Sequence, residues 1–300
     1  MRSGKLNIVV GIATSGRPRV LSTTIDLLAQ QTRRPDRLVL CPATVQDIDA
    51  ALLESFPVPT VVVESGTKGL TAQRNKILSV TENADVIVFF DDDFFPRTDY
   101  LEQVESMFLQ QADVVAATGR PLKDGAQGPG LSVEDGLAIV SAPSGSCSDN
   151  KTLTPTYGTY GCNMAFRLDP IRKNRILFDE NLPLYGWQED IDFSRALSSY
   201  GRIVESELLR GVHLGAKQGR TSGVRFGYSQ IANPIYLIRK GTMSPSFART
   251  LMLRNLATNL FRSFWSEPWI DRKGRLRGNV LALIDVATRR ISPGRILSLD

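Results

Sequence analysis

The fold of this chain is decided by one stretch, which reads Val86-Ile87-Val88-Phe89-Phe90-Asp91-Asp92-Asp93. Its five apolar residues, β-branched or aromatic, are typical of a strand buried on both faces of a sheet. Three consecutive carboxylates end the run. Because ligands of open α/β folds bind at the carboxyl ends of the strands, this strand end is the first candidate site.

Around this stretch, the first 120 residues alternate short apolar runs with helical patterns. Strands are predicted at Leu6–Ala13, Arg37–Cys41, Thr60–Val63, Val86–Phe90 and Val114–Thr118. Helices are predicted between them, at Pro18–Gln31, Val45–Ser55, Leu70–Val80 and Thr98–Gln110. This alternation predicts right-handed βαβ units, and therefore an α/β fold whose mixed, mainly parallel sheet is flanked by helices.

The remaining sequence is less regular. Residues 119–155 are rich in Gly, Pro, Ser and Asp with little periodicity, which predicts a long surface excursion. Patterned segments follow at Tyr160–Leu168, Glu189–Tyr200, Arg202–Glu205 and Leu208–Leu214. From about Tyr228 onward we predict helices, interrupted at Pro234, Pro245, Pro268 and Pro293.

The composition excludes several classes of protein. Hydrophobic residues at 42% and charged residues at 22% are typical of a globular chain and not of a disordered one. Three scattered cysteines (Cys41, Cys147, Cys162) fit neither a disulfide scaffold nor a zinc site. No apolar run approaches the about 18 residues of a membrane span, and Met1–Ala13 is interpreted as a strand rather than a signal peptide. We therefore expect a cytoplasmic protein.

The net charge of +5 is unevenly distributed. Residues 241–300 hold nine Arg and one Lys against four acids, a net charge of +6, so the first 240 residues balance at −1. Two interpretations of this tail stay open. It forms an amphipathic segment, with Trp265 and Trp269 as anchors, that contacts an anionic membrane peripherally, or its helices pack on the body with their basic face in water. No nucleic-acid-binding signature is present, so we expect no nucleic acid partner.

The acidic strand end predicts a metal site. With a strand period of two, Asp91 and Asp93 share one side and Asp92 faces the other. Two such carboxylates repel each other unless a cation lies between them, and Mg²⁺ or Mn²⁺ suits these ligands. The alternative is a solvated acidic turn that caps the next helix.

A second acidic group lies in Gly186-Trp187-Gln188-Glu189-Asp190 at a predicted helix start. Acids are favoured there by the helix dipole alone. Beside a metal site, however, Glu189 or Asp190 becomes a candidate general base, and Trp187 could stack on a sugar.

Further along, His213 is the only histidine, and a basic, Gly-rich loop follows it. A lone histidine is most often a surface or satisfied core group, but a metal ligand followed directly by a phosphate-binding loop is a coherent arrangement. The loop suits a diphosphate through Lys217, Arg220 and Arg225; the alternative is a solvated Gly-rich loop. Two more turns, Ala13–Pro18 and Lys68–Asn75, could contact a nucleotide. The first of these turns lacks the G-x-G-x-x-G spacing of a nicotinamide-cofactor site.

Taken in order, these motifs resemble the inverting family 2 glycosyltransferases of the GT-A fold, of the bacterial exopolysaccharide type, over about residues 5–240. The resemblance implies that Asp93 and His213 bind Mg²⁺ or Mn²⁺, that Asp190 is the general base with help from Glu189, and that Trp187 contacts the acceptor. It implies donor binding by the remaining candidates, which are Thr14, Arg17, Arg74, Asp91, Asp92, Lys217, Arg220 and Arg225. Among these, Asp91 looks like the ribose contact.

The implied reaction moves a sugar, with inversion, from a UDP-sugar to a lipid-linked oligosaccharide. Residues 1–240 would form the transferase domain, with a nucleotide-binding half (1–118) and an acceptor half (119–240), and residues 241–300 a helical extension. Many relatives read uracil with an Asp after the second strand, where this chain has Cys41-Pro42-Ala43-Thr44, so the base stays open. The alternatives are a sugar-nucleotide nucleotidyltransferase and a non-catalytic carbohydrate- or membrane-binding domain.

Overall fold

The computed structural model describes residues 4–49, 53, 56–64, 69–143, 152–217, 222–265 and 267–299. Eleven strands lie among them: β1 Ile8–Thr14, β2 Arg37–Pro42, β3 Thr60–Val62, β4 Val86–Asp91, β5 Phe94–Pro96, β6 Val114–Gly119, β7 Lys123–Asp124, β8 Leu153–Pro155, β9 Asn163–Arg167, β10 Arg202–Ser206 and β11 Gly211–His213. The same residues form nine α-helices: α1 Pro18–Ala29, α2 Leu70–Leu78, α3 Tyr100–Gln110, α4 Val133–Ser141, α5 Leu168–Asn174, α6 Glu189–Leu197, α7 Gly223–Lys240, α8 Pro245–Arg262 and α9 Arg272–Ala287.

Eight of these strands form one mixed sheet in the order β3-β2-β1-β4-β9-β6-β10-β8. The strands β3, β2, β1 and β4 are parallel, as are β6 and β10, while β9 and β8 pair antiparallel with their neighbours. This arrangement confirms the mainly parallel α/β sheet. All five strands predicted in the first 120 residues are present, and their ends differ by at most two residues.

Both faces of the sheet are covered, and the central strand β4 is accordingly apolar at every position from Val86 to Phe90. In β4, Val88 and Phe90 pack into one buried cluster, which also contains Leu101 of α3. The intervening residues of the strand, Ile87 and Phe89, pack into the cluster on the other face. The carboxyl end of β4 therefore lies between two helical layers, which fixes the position of the carboxylates that follow it.

A smaller sheet, in the order β5-β11-β7, lies next to this strand end. Strand β11 pairs antiparallel with β5, which sets His213 opposite Phe94, and parallel with β7, which sets His213 opposite Asp124. The backbone N–H of Leu214 donates to the carbonyl of Asp93 at 3.0 Å. This small sheet brings residues far apart in sequence to the end of β4.

Several predictions about the rest of the chain were wrong. The supposed excursion at 119–155 contains helix α4, where Ser132 caps the first turn, and strands β7 and β8. The helix predicted at Val45–Ser55 starts as a 3₁₀ turn, and Ile48 is already extended; residues 50–52 and 54–55 lie outside the described part. Pro234 does not interrupt its helix but lies buried inside α7.

The C-terminal helices α7, α8 and α9 pack on one another. Helix α9 lies close against α7: a Cβ on Gly278 of α9 would be 2.1 Å from the carbonyl oxygen of Val224 in α7. Among the buried side chains at the junction of α7, α8 and α9, the amide of Asn259 donates to Gln230 at 2.7 Å and to Asn279 at 2.8 Å. No helix among the described residues is both long and apolar enough to cross a membrane.

Candidate active site

Two carboxylates and one imidazole converge at the end of β4. Asp91 ends the strand, Asp93 follows it, and His213 ends β11 in the adjoining small sheet. One ligand atom from each of the three residues lies within 4.8 Å of the others. Carboxylate oxygens with one imidazole form a donor set that suits Mn²⁺ or Mg²⁺, so these residues fit the cation expected from the sequence.

The imidazole of His213 is oriented by a carboxylate at the ring nitrogen that faces away from Asp93. Its Nδ1 is hydrogen-bonded to the Asp124 carboxylate at 2.9 Å, and the hydroxyl of Tyr160 donates to the same carboxylate at 2.8 Å. The Nε2 atom lies 3.6 Å from Asp93. Burial alone would lower the pKa of His213, but hydrogen bonds and charges from Asp124 and Asp93 raise it to about 10. A metal-binding histidine commonly has such a carboxylate on its outer nitrogen.

The loop after β1 is tied to the same strand end through Arg17. Its guanidinium pairs with Asp92 at 2.9 Å and with Asp93 at 3.0 Å. Asp92 is 1% exposed and also accepts the hydroxyl of Thr14 at 2.7 Å. Burial raises the pKa of Asp92, whereas hydrogen bonding from His213 and the charges of His213 and Arg17 outweigh burial at Asp93 and lower its pKa. In this structure Asp92 holds the loop, while 21% of the Arg17 side chain stays exposed beside Asp93.

Arg74 connects the two acidic groups of the site. It is 2% exposed, pairs with Asp91 at 3.1 Å, and forms a second ion pair with Glu189. Its guanidinium also lies over the rings of Phe89 and Phe178, at 5.8 and 5.5 Å from their centres. Burial raises the pKa of Glu189, although the charge of Arg74 opposes the shift. This arginine therefore fixes the position of the second acidic group relative to the first.

Helix α6 presents that second group. Its first residue, Glu189, is 5% exposed, whereas Asp190 is only half-buried. The Asp190 carboxylate accepts the backbone N–H of Gly161 at 3.0 Å and that of Ile191 at 2.8 Å. Burial raises the pKa of Asp190 in spite of these bonds. The Oε2 atom of Glu189 is buried and has no hydrogen-bond partner among the described residues.

Three other residues predicted to bind donor or acceptor, Trp187, Lys217 and Arg225, contact other parts of the protein in this structure. Trp187 is half-buried, with its ring edge on Phe226 at 5.8 Å. Lys217 donates to the carbonyls of Gly125 and Ala126, and Arg225 donates to the carbonyl of Leu299 at 2.6 Å. Arg220 lies outside the described residues. The structure thus uses Lys217 and Arg225 to hold backbone segments.

Sequence reasoning missed two groups that the structure places at the site. Asp124 and Tyr160 support His213, but neither lies in a recognisable motif, and Asp124 falls in the stretch interpreted as irregular. It also missed Gln73, whose amide donates to the carbonyls of Thr14 and Cys41 and so joins the ends of β1 and β2. No local signal marks these residues, because each acts on a partner at least 32 positions away.

Comparison with solved structures supports the fold. The first 349 residues of S. aureus TarS match with a TM-score of 0.58 and 14% identity, over 98% of this chain and 83% of that one. The mannosyltransferase PcManGT of Pyrobaculum calidifontis, solved with GDP-Man and Mn²⁺, matches with a TM-score of 0.59 and 16% identity, over 99% of this chain and 79% of that one. No curated protein sequence matches significantly.

The sequence profile of glycosyl transferase family 2 matches residues 9–174, which is more than half of the chain. The matched region contains β1, the Arg74 helix and the acidic end of β4. The chain therefore belongs to glycosyl transferase family 2 and is a glycosyltransferase of the GT-A fold.

Proposed function

We propose that this protein transfers a sugar from a nucleotide diphosphate sugar, such as a UDP-sugar, to a hydroxyl group of a lipid-linked oligosaccharide, with inversion and with a divalent cation. The observation that carries this proposal is the convergence of Asp91, Asp93 and His213, connected through Arg74 to Glu189 and Asp190. In support, PcManGT was solved with GDP-Man and Mn²⁺, and TarS with UDP-GlcNAc.

In this proposal Asp91, Asp93 and His213 hold Mg²⁺ or Mn²⁺. The cation, when bound, offsets negative charge on the leaving diphosphate. Asp124 keeps the His213 ring oriented, and Arg17 is the predicted donor-binding cation best placed beside Asp93 for a phosphate. Thr14, Asp92 and Arg74 are buried, so we assign them to positioning these groups.

Asp190 is the proposed general base. Its half-buried carboxylate and raised pKa suit proton abstraction from a hydroxyl group. As the proton passes to Asp190, the acceptor oxygen bonds to the anomeric carbon on the face opposite the diphosphate, and the bond from that carbon to the diphosphate oxygen breaks. Glu189 is buried beside Asp190 and held by Arg74, which gives Glu189 the role of orienting the base.

We also propose the division into a transferase domain at 1–240, with a donor half at 1–118 and an acceptor half at 119–240, and an extension at 241–300. In support, Asp91 and Arg17 lie in the first half, and Glu189, Asp190 and Trp187 lie in the second. A lipid-linked acceptor would place the protein at the cytoplasmic face of a membrane.

Thermal shift with a panel of nucleotide sugars, in Mn²⁺, Mg²⁺ or EDTA, tests this proposal. We expect one class of nucleotide sugar to raise the Tm only when the cation is present, and Asp93→Ala to remove that shift. Asp99→Ala, at the start of α3, is the matched control and should keep it. If the shift in Asp93→Ala equals that of the wild type, the assignment of the cation site is wrong.

A further inference from the structure

Helix α8 presents an apolar stripe to solvent instead of to the protein. Leu253, Ala257 and Leu260 recur at intervals of four and three residues, which puts them on one face of the helix. They are exposed, as are Phe261, Phe264 and Trp265 at the end of the helix. The exposed fractions of Phe261 and Phe264 are 65% and 77%. Single exposed apolar residues are ordinary, but a continuous stripe with three aromatic rings marks an interaction surface.

Helix α9 has a similar outer face with its charge concentrated at one end. Lys273 and Arg277 are exposed in its first half, and Val280 and Ile284 continue the same stripe at intervals of three and four residues. Leu283 is exposed beside them. We call the exposed residues of both helices, from Arg249 to Arg290, the outer surface.

The outer surface carries a strong positive charge because the acidic residues of this region bind other groups of the protein. Glu267 pairs with Arg262 and Arg272, Asp271 caps α9 at Gly274, and Asp285 accepts the hydroxyl of Tyr228. On the outer surface, the exposed cations that form no ion pair with a described residue are Arg249, Arg254, Lys273, Arg277, Arg289 and Arg290.

The inner faces of these helices are fixed, so the outer surface cannot turn inward. The buried amides of Gln230, Asn259 and Asn279 bond to one another where α7, α8 and α9 meet. Rotating α8 to bury its apolar stripe would leave these amides without partners, which is unfavourable in a buried position. Among the described residues nothing covers the stripe, so it is available to a partner.

We propose that the outer surface docks on an anionic lipid bilayer, with the helices lying in the plane of the headgroups. Aromatic and aliphatic side chains flanked by unpaired arginines match such a surface in both polarity and charge. The link between this surface and a lipid-linked acceptor rests on the proposed function. Lipid binding by the surface does not depend on the proposed transfer reaction.

The outer surface is also connected with the loop that leads into Glu189 and Asp190. Arg275 of α9 lies over the ring of Phe226 at 4.3 Å, and that ring contacts Trp187 at 5.8 Å and Tyr185 at 6.1 Å. The loop that leads into Glu189 and Asp190 therefore contacts Phe226 of α7, and the same ring lies against α9, the helix that would touch the bilayer. A lipid-anchored acceptor would reach the site from this side.

Co-sedimentation of the full chain with vesicles tests the proposal without measuring activity. We expect binding to vesicles with 30–40% phosphatidylglycerol, weak binding to pure phosphatidylcholine, and release at high salt (about 0.5 M). Arg254→Gln/Lys273→Gln/Arg277→Gln should lower the partition coefficient on the order of 100-fold, since each charge near the bilayer contributes about fivefold. The control Arg34→Gln/Lys76→Gln/Lys173→Gln changes the net charge equally, at exposed sites elsewhere, and should bind as the wild type does.

The contribution of the apolar side chains to binding is tested separately, by vesicle binding of Phe261→Ser/Phe264→Ser and by quenching of tryptophan fluorescence. Vesicles containing brominated lipid should quench Trp265 in a Trp187→Phe/Trp269→Phe background, and the double serine variant should bind more weakly at unchanged Tm. Equal binding by the basic variant and its control would overturn the proposal, as would absence of binding to anionic vesicles. A dimer in sedimentation equilibrium that dissociates in the serine variant would overturn it too, because a second copy would then cover the stripe.

Discussion

Arg74 offers the sharpest test of how the site is built. It is the largest fully buried side chain described, and it pairs with Asp91 at 3.1 Å and with Glu189. Replacing Arg74 with Met keeps most of the volume but leaves the buried Glu189 and the half-buried Asp91 without their cation. Breaking a buried ion pair in this way costs about 3–5 kcal/mol. We therefore expect Arg74→Met to lower the free energy of unfolding by that amount.

The cost should depend on pH in a defined direction. Without Arg74 the pKa of Glu189, already raised by burial, rises further, so the carboxyl group binds a proton more readily. The destabilisation should be smaller at pH 6 than at pH 8.5, because protonation removes the uncompensated charge. Urea unfolding at both pH values measures it, and the Tm at pH 8 should fall on the order of 10 °C.

A double variant separates the ion pair from simple packing. Arg74→Met/Glu189→Gln removes both charges and should recover more than 1 kcal/mol relative to Arg74→Met. The control Arg167→Met removes a half-buried arginine that stacks on Phe108 and forms no ion pair with a described residue, so its effect should not depend on pH. An Arg74→Met loss below 1 kcal/mol, or additive losses in the double variant, would refute this reasoning.

Three further outcomes follow from the contacts. Asp124→Asn should weaken Mn²⁺ binding 10–100-fold in calorimetry at unchanged fold, because His213 loses its orienting carboxylate, and Asp135→Asn on α4 should not. The pKa of Asp179 is lowered because hydrogen bonds from Lys240 and Tyr236 outweigh burial, so its contribution to stability should be lost as the pH falls through that value; acid titration of Asp179→Asn should lack this loss. Gly227→Ala should lower the Tm, since the new Cβ would lie 2.0 Å from the Arg275 carbonyl.

The local parts of this fold could be predicted from sequence because their signals are local. The run from Val86 to Phe90 is apolar at every position, which matches a strand packed on both faces. The alternation that follows it separates Asp91 and Asp93 from Asp92, and the structure places Asp92 against Thr14 and Arg17. In each case the sequence pattern that predicts the structure lies within a few residues.

The parts that failed depend on distant contacts. Helix α4 is capped by Ser132 and packs next to Phe95 and Leu214. Its apolar periodicity was not recognised because the surrounding sequence is rich in glycine. Pro234 is tolerated inside α7 because that stretch is buried against the C-terminal segment, which offsets the lost hydrogen bond. The pairing of His213 with Asp124 spans 89 positions, and only the register of β7 with β11 brings them together.

The central claim is that this site transfers a sugar with Asp190 as the base, and product analysis tests it most directly. Wild type, Asp190→Asn and Asp93→Asn are incubated with the nucleotide sugar that raises the Tm, Mn²⁺ and a carbohydrate acceptor, and phosphorus NMR identifies what is released. We predict a nucleoside diphosphate from the wild type, with a rate at least about 100-fold lower in Asp190→Asn at unchanged nucleotide affinity. Pyrophosphate released in a parallel incubation with a nucleoside triphosphate and a sugar 1-phosphate, or equal rates in all three proteins, would contradict the account.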